Sequence, residues 1–381
     1  MANIVIVSQR LLGHIVPALG IAAQLKKGGH NVTIYSHRTL KPLIDRSGLN
    51  YGELGWDKYP DAFIEEMIDE LYHKLQDKPV DLIINDSSLC APSYLAELLN
   101  IPWVSFQTTV PIHDRDVPGK PAVHKKVREL LLKELNRIRQ KYKLQPLNDF
   151  IRTRGDYLGL SPYLHLVLVY KELIIDPSAL PPSSQVIGDC SYEEENPVLE
   201  KRICENTSYP TITVCTSSVP RFEFQELTLS LIENCLQVFD KDPYSLFFSL
   251  TSDIKSNLKT TKNTHIIREF PNHNILFKFS DLVVTHGGCG TLQKSMKYGV
   301  PMIVLPMGAD HENLGSIVEK LGVGRMLPPE KLIKLGDYRD AILNNEEIKN
   351  RANNLSKIIN KYKPTETAEK YINRILTYKN I

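Results

Sequence analysis

Residues 281–291 read DLVVTHGGCGT, and GVPMIVLP follows at 299–306 after a helical pattern. An apolar, β-branched run ends at His286, and the glycines at 287, 288 and 290 let the backbone turn tightly before a helix that we expect to begin near Thr291. Free amides at the start of such a helix can bind an anion. Glycines by themselves favour two interpretations about equally, a phosphate-binding loop or an ordinary strand-to-helix turn.

The same alternation of strand and helix continues on both sides of this loop. After residue 210 the sequence predicts strands at TITVCT, SLFFSL, HIIREF and PMIVLP, with helices at FQELTLSLIENCLQVF and ENLGSIVEKLG. Before residue 171 it predicts strands at NIVIVS, NVTIYS, VDLIIN, PWVSF and HLVLVY, with helices at ALGIAAQLKKGG and LLLKELNRIRQKY. This alternation is typical of parallel sheets with helices on both faces.

The chain of 381 residues is longer than one core usually allows, so two domains are expected. The polar stretch between Gly188 and Pro210 has no strand pattern and is typical of an interdomain linker. We predict an α/β protein of two facing Rossmann-like domains that ends in a pair of Lys-rich helices. The expected boundaries are 1–190 for the N-terminal domain, 191–209 for the linker, 210–360 for the C-terminal domain, and 361–381 for a helix that packs back on the first domain.

Composition excludes several classes of function. There are 46 Lys and Arg against 44 Asp and Glu, a net charge of +2, so a nucleic-acid partner is not expected. The six cysteines include no CxxC pair, which argues against a zinc site and a disulfide framework. No apolar run is long enough for a membrane span, and MANIVIVSQR lacks a signal peptide, so a cytoplasmic protein is expected. The oligomeric state stays open.

Residues 269–327, from EFPNHN to GRML, closely resemble the nucleotide-binding signature of the nucleotide-sugar-dependent glycosyltransferases with the GT-B fold, the group of macrolide, flavonoid and glucuronosyl transferases. The resemblance implies transfer of a sugar from a UDP- or dTDP-linked donor. It implies phosphate contacts from a group around the glycine loop: His286, Gly287, Gly288, Gly290 and Thr291. It implies that Phe270, Pro271 and Asn272 meet the base, and that Asp310 and His311 hold the donor sugar, although Asp310 is also placed to cap a helix.

Three positions depart from the family pattern. Lys294 stands where the family has an acid that binds the ribose hydroxyls, and an ammonium group cannot accept those hydrogen bonds. Glu269 stands in place of an aromatic that stacks on the base, with Phe270 beside it. Thr216 replaces a glycine, which leaves Ser217 and Ser218 as phosphate donors. The identity of the nucleotide is therefore open.

The N-terminal half resembles the same family at Gly13, His14 and Pro17, which match a loop whose histidine is the general base. A surface histidine is the alternative. Asp86 closes the strand DLIIND at the carboxyl edge of the predicted sheet, where it can orient His14, or else cap the next turn.

An acceptor pocket is expected near Trp56, Phe106 and His113, whose side chains suit a flat or apolar hydroxylated molecule. The resulting hypothesis is an inverting transferase that needs neither metal nor cofactor, with the nucleotide sugar as co-substrate. Two other classes stay open, a nucleotide-sugar epimerase and a nucleotide-sugar-binding protein that has lost its activity.

Overall fold

A computed structural model describes residues 1–55, 63–113, 120–207, 210–217, 222–241, 243–250, 261–308 and 310–378. The chain divides into two compact units. The first contains residues 1–192 together with 363–381, and the second contains residues 193–362. Within the described ranges, none of the helices is both long and apolar enough to cross a membrane.

The first unit is built on a parallel sheet of order β3-β2-β1-β4-β5-β6-β7. Its strands are β1 Asn3–Val7, β2 Asn31–His37, β3 Asn50–Leu54, β4 Leu82–Asp86, β5 Trp103–Gln107, β6 His165–Val167 and β7 Ser184–Val186. Its helices up to residue 192 are α1 Leu12–Lys27, α2 Lys41–Arg46, α3 Ile64–Leu75, α4 Ala91–Leu98 and α5 Pro121–Lys141. Every residue of β4 and β5 is buried, as expected for central strands covered by helices on both faces.

The strand order reverses between β1 and β4, which pair in parallel with Val7 opposite Asn85. In open parallel sheets, ligands bind beyond the carboxyl ends of the strands at such a switch point. The chain leaves β1 into α1, while β4 ends at Asp86. The topology therefore brings the start of α1 and the end of β4 to one place.

The second unit repeats this plan with the order β10-β9-β8-β11-β12-β13. Its strands are β8 Thr211–Cys215, β9 Ser245–Ser249, β10 Thr264–Ile267, β11 Leu282–Thr285, β12 Met302–Val304 and β13 Gly324–Met326. Its helices are α6 Pro197–Glu205, α7 Gln225–Phe239, α8 His273–Leu276, α9 Cys289–Tyr298, α10 His311–Leu321, α11 Leu335–Leu343 and α12 Glu346–Ile359. The switch point lies between β8 and β11, where Cys215 is opposite Thr285.

Three predicted segments differ in the structure. The expected linker is not irregular, because α6 occupies 197–205 and buries Leu199 and Ile203 within the second unit. The stretch expected to be a loop before the first helix already belongs to α1. The helix after the glycine loop begins at Cys289, two residues before Thr291.

The last helix, α13 Pro364–Tyr378, belongs to the first unit and packs on α1. Nε2 of Gln24 donates to Oε2 of Glu369 at 2.6 Å. Gly28 leaves the space for this contact, because a Cβ there would lie 1.9 Å from Oε1 of Glu369. The C-terminal end of α1, the helix that carries His14, is thus held by its contact with α13.

Candidate active site

His14 and Asp86 form a close pair in the first unit. His14 lies in the first turn of α1, and its Nδ1 is 2.7 Å from Oδ2 of Asp86, the last residue of β4. The helix runs through Gly13, His14 and Pro17, so this motif is helical and not a loop. Pro17 lacks an N–H, so the helix omits the bond to the Gly13 carbonyl and continues.

Asp86 is ionised, and each of its two carboxylate oxygens has a hydrogen-bond partner. Its burial opposes ionisation, but the charge and hydrogen bond of His14 and the hydrogen bonds from Ser88 outweigh burial and lower the pKa of Asp86. Ser88 donates to Oδ1 through both its Oγ, at 2.7 Å, and its backbone N–H, at 3.1 Å. A carboxylate can only accept, so Nδ1 of His14 carries a proton whether the ring is neutral or charged, and a neutral ring has its lone pair on Nε2. The His14 side chain is 20% exposed, against 2% for Asp86, so the ring is open on its outer side.

Sequence reasoning missed the residues that orient Asp86. Nε2 of Gln9, in the segment between β1 and α1, donates to Oγ of Ser88 and so holds the serine in place. Nδ2 of Asn85 donates to the carbonyls of Leu89 and Gly159, both at 3.1 Å, and so fixes the turn after β4. One sequence pattern could have predicted the Ser88 contact: a serine two residues after an aspartate at a strand end is typical of an Asx turn.

The glycine loop of the second unit joins β11 to α9. Gly287 has φ +98°, and a Cβ there would lie 2.9 Å from Cγ1 of Val304, so both conformation and space require glycine. A Cβ at Gly288, the N-cap of α9, would lie 2.6 Å from Nε2 of His286. Gly290 is in the first turn with open space around it, so it is not needed for turning and leaves the helix start uncovered. Thr291 is buried in the same turn.

His286 is buried and uncharged at neutral pH. Burial, and then the neighbouring His311, lower the pKa of His286 to about 3. Its Nδ1 lies 3.4 Å from the carbonyl oxygen of Cys215, and a carbonyl only accepts, so Nδ1 carries the proton and Nε2 the lone pair. The ring of His311 meets that of His286 edge to face at 5.0 Å.

Asp310 and His311 stand at the start of α10. Asp310 is the N-cap residue, yet among the described residues its carboxylate makes no capping hydrogen bond to the helix. The capping alternative for this side chain is therefore not realised. Nδ1 of His311 accepts from the N–H of Met307 at 3.3 Å. In a neutral ring the proton is therefore on Nε2, which can donate to a ligand. The assignment of both residues to the donor sugar stays a prediction.

The residues expected to meet the base are fixed by a local network. Asn272 is buried, accepting from Ser249 Oγ at 2.9 Å and donating to the carbonyl of Glu269 at 2.7 Å, so its side chain is fixed within the loop. Glu269 pairs with Arg202 at 2.7 Å. Phe270 and Pro271, before α8, are partly exposed, whereas Ser217 follows β8 and Ser218 lies outside the described residues.

Lys294 is buried in α9 and forms an ion pair that the sequence did not predict. Its Nζ lies 2.6 Å from Oε1 of Glu193, and Nζ of Lys297 lies 2.6 Å from the same oxygen. Glu193 belongs to the stretch that we expected to be a linker, so no pattern linked it to α9.

The two predicted acceptor residues that the structure describes, Phe106 and His113, do not line one cavity. His113 lines a cavity of about 350 Å³, and its Nε2 is 3.0 Å from Oδ2 of Asp176 and 2.8 Å from Oγ of Ser178. Phe106 is a correction: it is fully buried in β5 and has no surface for an acceptor, because its position in a strand covered on both faces points it into the core. Trp56 lies outside the described residues.

Two family matches fall on the chain, one in each half. Residues 12–78 match the glycosyltransferase family 28 N-terminal domain, and residues 250–373 match the C-terminal domain of the erythromycin biosynthesis protein CIII-like family. The chain belongs to the GT-B glycosyltransferases. This transferase is 23% identical to the uncharacterized UDP-glucosyltransferase YojK of Bacillus subtilis (strain 168), with 92% of each chain covered. It is 24% identical to the NDP-glycosyltransferase YjiC of the same organism, with 91% of this chain and 90% of the relative covered.

Solved structures of glycosyltransferases share the fold of this transferase. The glycotransferase of kitacinnamycin superimposes with a TM-score of 0.78 at 20% identity over 98% of both chains. The spinosyn rhamnosyltransferase SpnG, solved with thymidine diphosphate, gives a TM-score of 0.69 at 16% identity over 98% of this chain and all of its own. At these identities the comparison concerns the fold alone.

Proposed function

We propose that the protein transfers a sugar, with inversion and without a metal ion, from a nucleoside diphosphate to a hydroxyl of a small natural-product-like acceptor. The contact that carries the proposal is the 2.7 Å hydrogen bond between His14 and Asp86. The names of similar structures, the kitacinnamycin and spinosyn glycosyltransferases, support an acceptor of the natural-product class. The thymidine diphosphate of SpnG and the UDP of YojK support a nucleoside diphosphate donor.

His14 is the general base in this proposal. Its Nε2 takes the proton of the acceptor hydroxyl while that oxygen forms a bond to the anomeric carbon. Asp86 stabilises the imidazolium that results, because a buried carboxylate at 2.7 Å interacts strongly with a cation. The carbon–oxygen bond to the diphosphate breaks, and its electron pair leaves with the nucleoside diphosphate. Attack opposite the leaving group inverts the anomeric centre.

The leaving diphosphate is proposed to bind at the start of α9. The first amides of a helix have no partner within it, and the helix dipole favours negative charge there. Gly288 and Gly290 place no side chain over this end of α9, and the side chains of Cys289 and Thr291 are buried. His286 lies directly before these glycines and can donate to a phosphate oxygen once its Nε2 binds a proton.

A transfer assay with a panel of UDP- and dTDP-sugars and phenolic or polyketide aglycones tests this proposal. We expect one pair to give product of inverted anomeric configuration by NMR, and His14→Ala to slow transfer by about 10²–10⁴-fold. Nucleotide affinity, measured by calorimetry, should be unchanged in the variant. A retained configuration, or a His14→Ala rate close to wild type, would refute the mechanism.

A further inference from the structure

Two lysines of α9 hold the carboxylate of Glu193 by one oxygen only. Lys294 and Lys297 both contact Oε1 at 2.6 Å. Within the described chain, both hydrogen bonds to this carboxylate end on Oε1 and neither ends on Oε2. A carboxylate has about four lone-pair positions, and the two ammonium groups use those of Oε1. Oε2 therefore keeps two lone pairs in a fixed direction, the number that a vicinal diol can fill.

The charges of Glu193, Lys294 and Lys297 favour Glu193 as a hydrogen-bond acceptor for a ligand. Burial opposes its ionisation, but the two lysines outweigh burial and lower the pKa of Glu193, so the side chain is an anion that only accepts. The Lys294 side chain is 8% exposed and that of Glu193 is 32% exposed. A buried ammonium group is costly unless it is paired, which keeps Lys294 on Glu193. The carboxylate is thus rigidly oriented and still reachable.

The distance along α9 from its first residue to Lys294 is similar to the distance from the diphosphate to the ribose hydroxyls in a nucleoside diphosphate. The helix begins at Cys289, where the diphosphate is proposed to bind, and Lys294 is five residues further. At a rise of about 1.5 Å per residue, this is roughly 7.5 Å along the axis. A ribose follows its diphosphate after one ester link, so its hydroxyls lie at a separation of the same order. The hydroxyls of the donor sugar are assigned to Asp310 and His311 at α10, which leaves the ribose diol for Glu193.

We infer that Glu193, oriented by Lys294 and Lys297, binds both ribose hydroxyls of the donor nucleotide and selects ribonucleoside over deoxyribonucleoside diphosphate sugars. The inference rests on the proposed function, since it names the nucleotide class of the same site. Glu193 would also supply the carboxylate that is expected at position 294, where this chain has a lysine. A deoxyribose has one hydroxyl fewer and leaves one lone pair of Oε2 without a partner.

Calorimetric titration with UDP, dTDP and 2′,3′-dideoxyuridine diphosphate tests the inference. The wild type should bind UDP about 10- to 100-fold more tightly than the dideoxy compound, with dTDP between them. Glu193→Gln has the same shape and should lose most of this preference, while its affinity for the dideoxy compound stays within about twofold. Lys294→Met keeps the carboxylate but removes one orienting contact, and should reduce the preference partially.

Glu200→Gln is the matched control. Glu200 pairs with Lys278 at 2.9 Å in the same unit, so the substitution breaks a similar ion pair and should leave the UDP preference intact. Equal loss of UDP and dideoxy affinity in Glu193→Gln would show a structural tether and overturn the inference. Wild-type binding of dTDP in preference to UDP would overturn it and leave the proposed function standing. Binding of none of the three nucleotides would overturn both.

Discussion

Nδ1 of His14, in the first turn of α1, lies 2.7 Å from Oδ2 of Asp86, the last residue of β4. The contact follows from topology, because β1 and β4 are neighbours in the sheet and their carboxyl ends share one edge. The Asp86 side chain is 2% exposed and ionised, and Ser88 donates to its second oxygen. The protein therefore fixes the tautomer of His14 by itself, before any substrate contributes.

Asp86→Asn should reduce the rate of transfer by at least about 10²-fold, because a neutral amide cannot stabilise the imidazolium and no longer fixes the proton on Nδ1. Steady-state kinetics at saturating donor and acceptor measure the change. Asp81→Asn is the matched control: it makes the same change of charge just before the first residue of β4, at the opposite edge of the sheet, where Asp81 Oδ2 accepts from the N–H of Asn3. Equal losses in the two variants would contradict a specific role for Asp86.

Gly20→Ala should destabilise the helix that carries His14. A Cβ at Gly20 would lie 1.7 Å from the carbonyl oxygen of Cys190, a backbone atom that cannot move aside as a side chain can. We expect about 1–3 kcal/mol of destabilisation and a fall of roughly 2–10 °C in the thermal transition that reports on the unit containing α1. Gly155→Ala, where a Cβ has no atom within 4 Å, is the control and should leave that transition in place. An unchanged transition in Gly20→Ala would mean that α1 does not pack against residue 190 as described.

The sequence predicted the part of the site that follows from strand order. His286 and Asp86 each stand at the end of an apolar run, and parallel pairing places such ends at one edge of their sheets. The start of α1 could not be predicted, because Gly13 and Pro17 are both typical of loops and only the packed helix offsets their low propensity. The burial of Phe106 could not be predicted from residue type, since an aromatic residue beside a loop can line a pocket or belong to the core.

Glu193 could not be predicted for a different reason. It lies about a hundred residues before Lys294 in a polar stretch, and a contact over that separation leaves no periodic pattern in the sequence. Only the packing of the second unit brings the carboxylate onto α9, where it meets two lysines one helical turn apart. Long-range ion pairs of this kind become visible only with coordinates.

Chelation of metal ions should leave transfer unchanged. In the proposed reaction the amides of α9 and His286 stabilise the leaving diphosphate, a task that bound cations perform in other sites. Two Asp-x-Asp triplets occur in the chain, at 114–116 and 240–242, and the carboxylate of Asp240 already accepts from Thr261 and Thr264 at 2.6 Å. Activity after EDTA treatment should stay within about twofold of the untreated enzyme. A loss that Mg²⁺ or Mn²⁺ restores, and that Asp114→Asn reproduces, would show a metal site.

Binding of the donor should take up a proton at His286. Burial and His311 lower the pKa of His286 to about 3 in this structure, and a diphosphate beside Nε2 favours the charged ring and raises that pKa. Between the two pKa values the bound state holds one proton more than the free state, so affinity rises as the pH falls, by up to about tenfold per pH unit. UDP-glucose is the suitable probe between about pH 5 and 8, because its diphosphate, esterified at both ends, has no group that titrates there.

Calorimetry in buffers of different ionisation enthalpy counts the protons taken up with the donor. We expect about one proton below the pKa of the bound state, and none in His286→Gln, whose affinity should no longer vary with pH. His311→Gln is the control, because His311 contacts the ring of His286 at 5.0 Å and its replacement removes the other imidazole at the site. The slope should persist in His311→Gln. If it disappears there and remains in His286→Gln, the proton binds to His311, and the leaving diphosphate is stabilised from the start of α10 and not from His286.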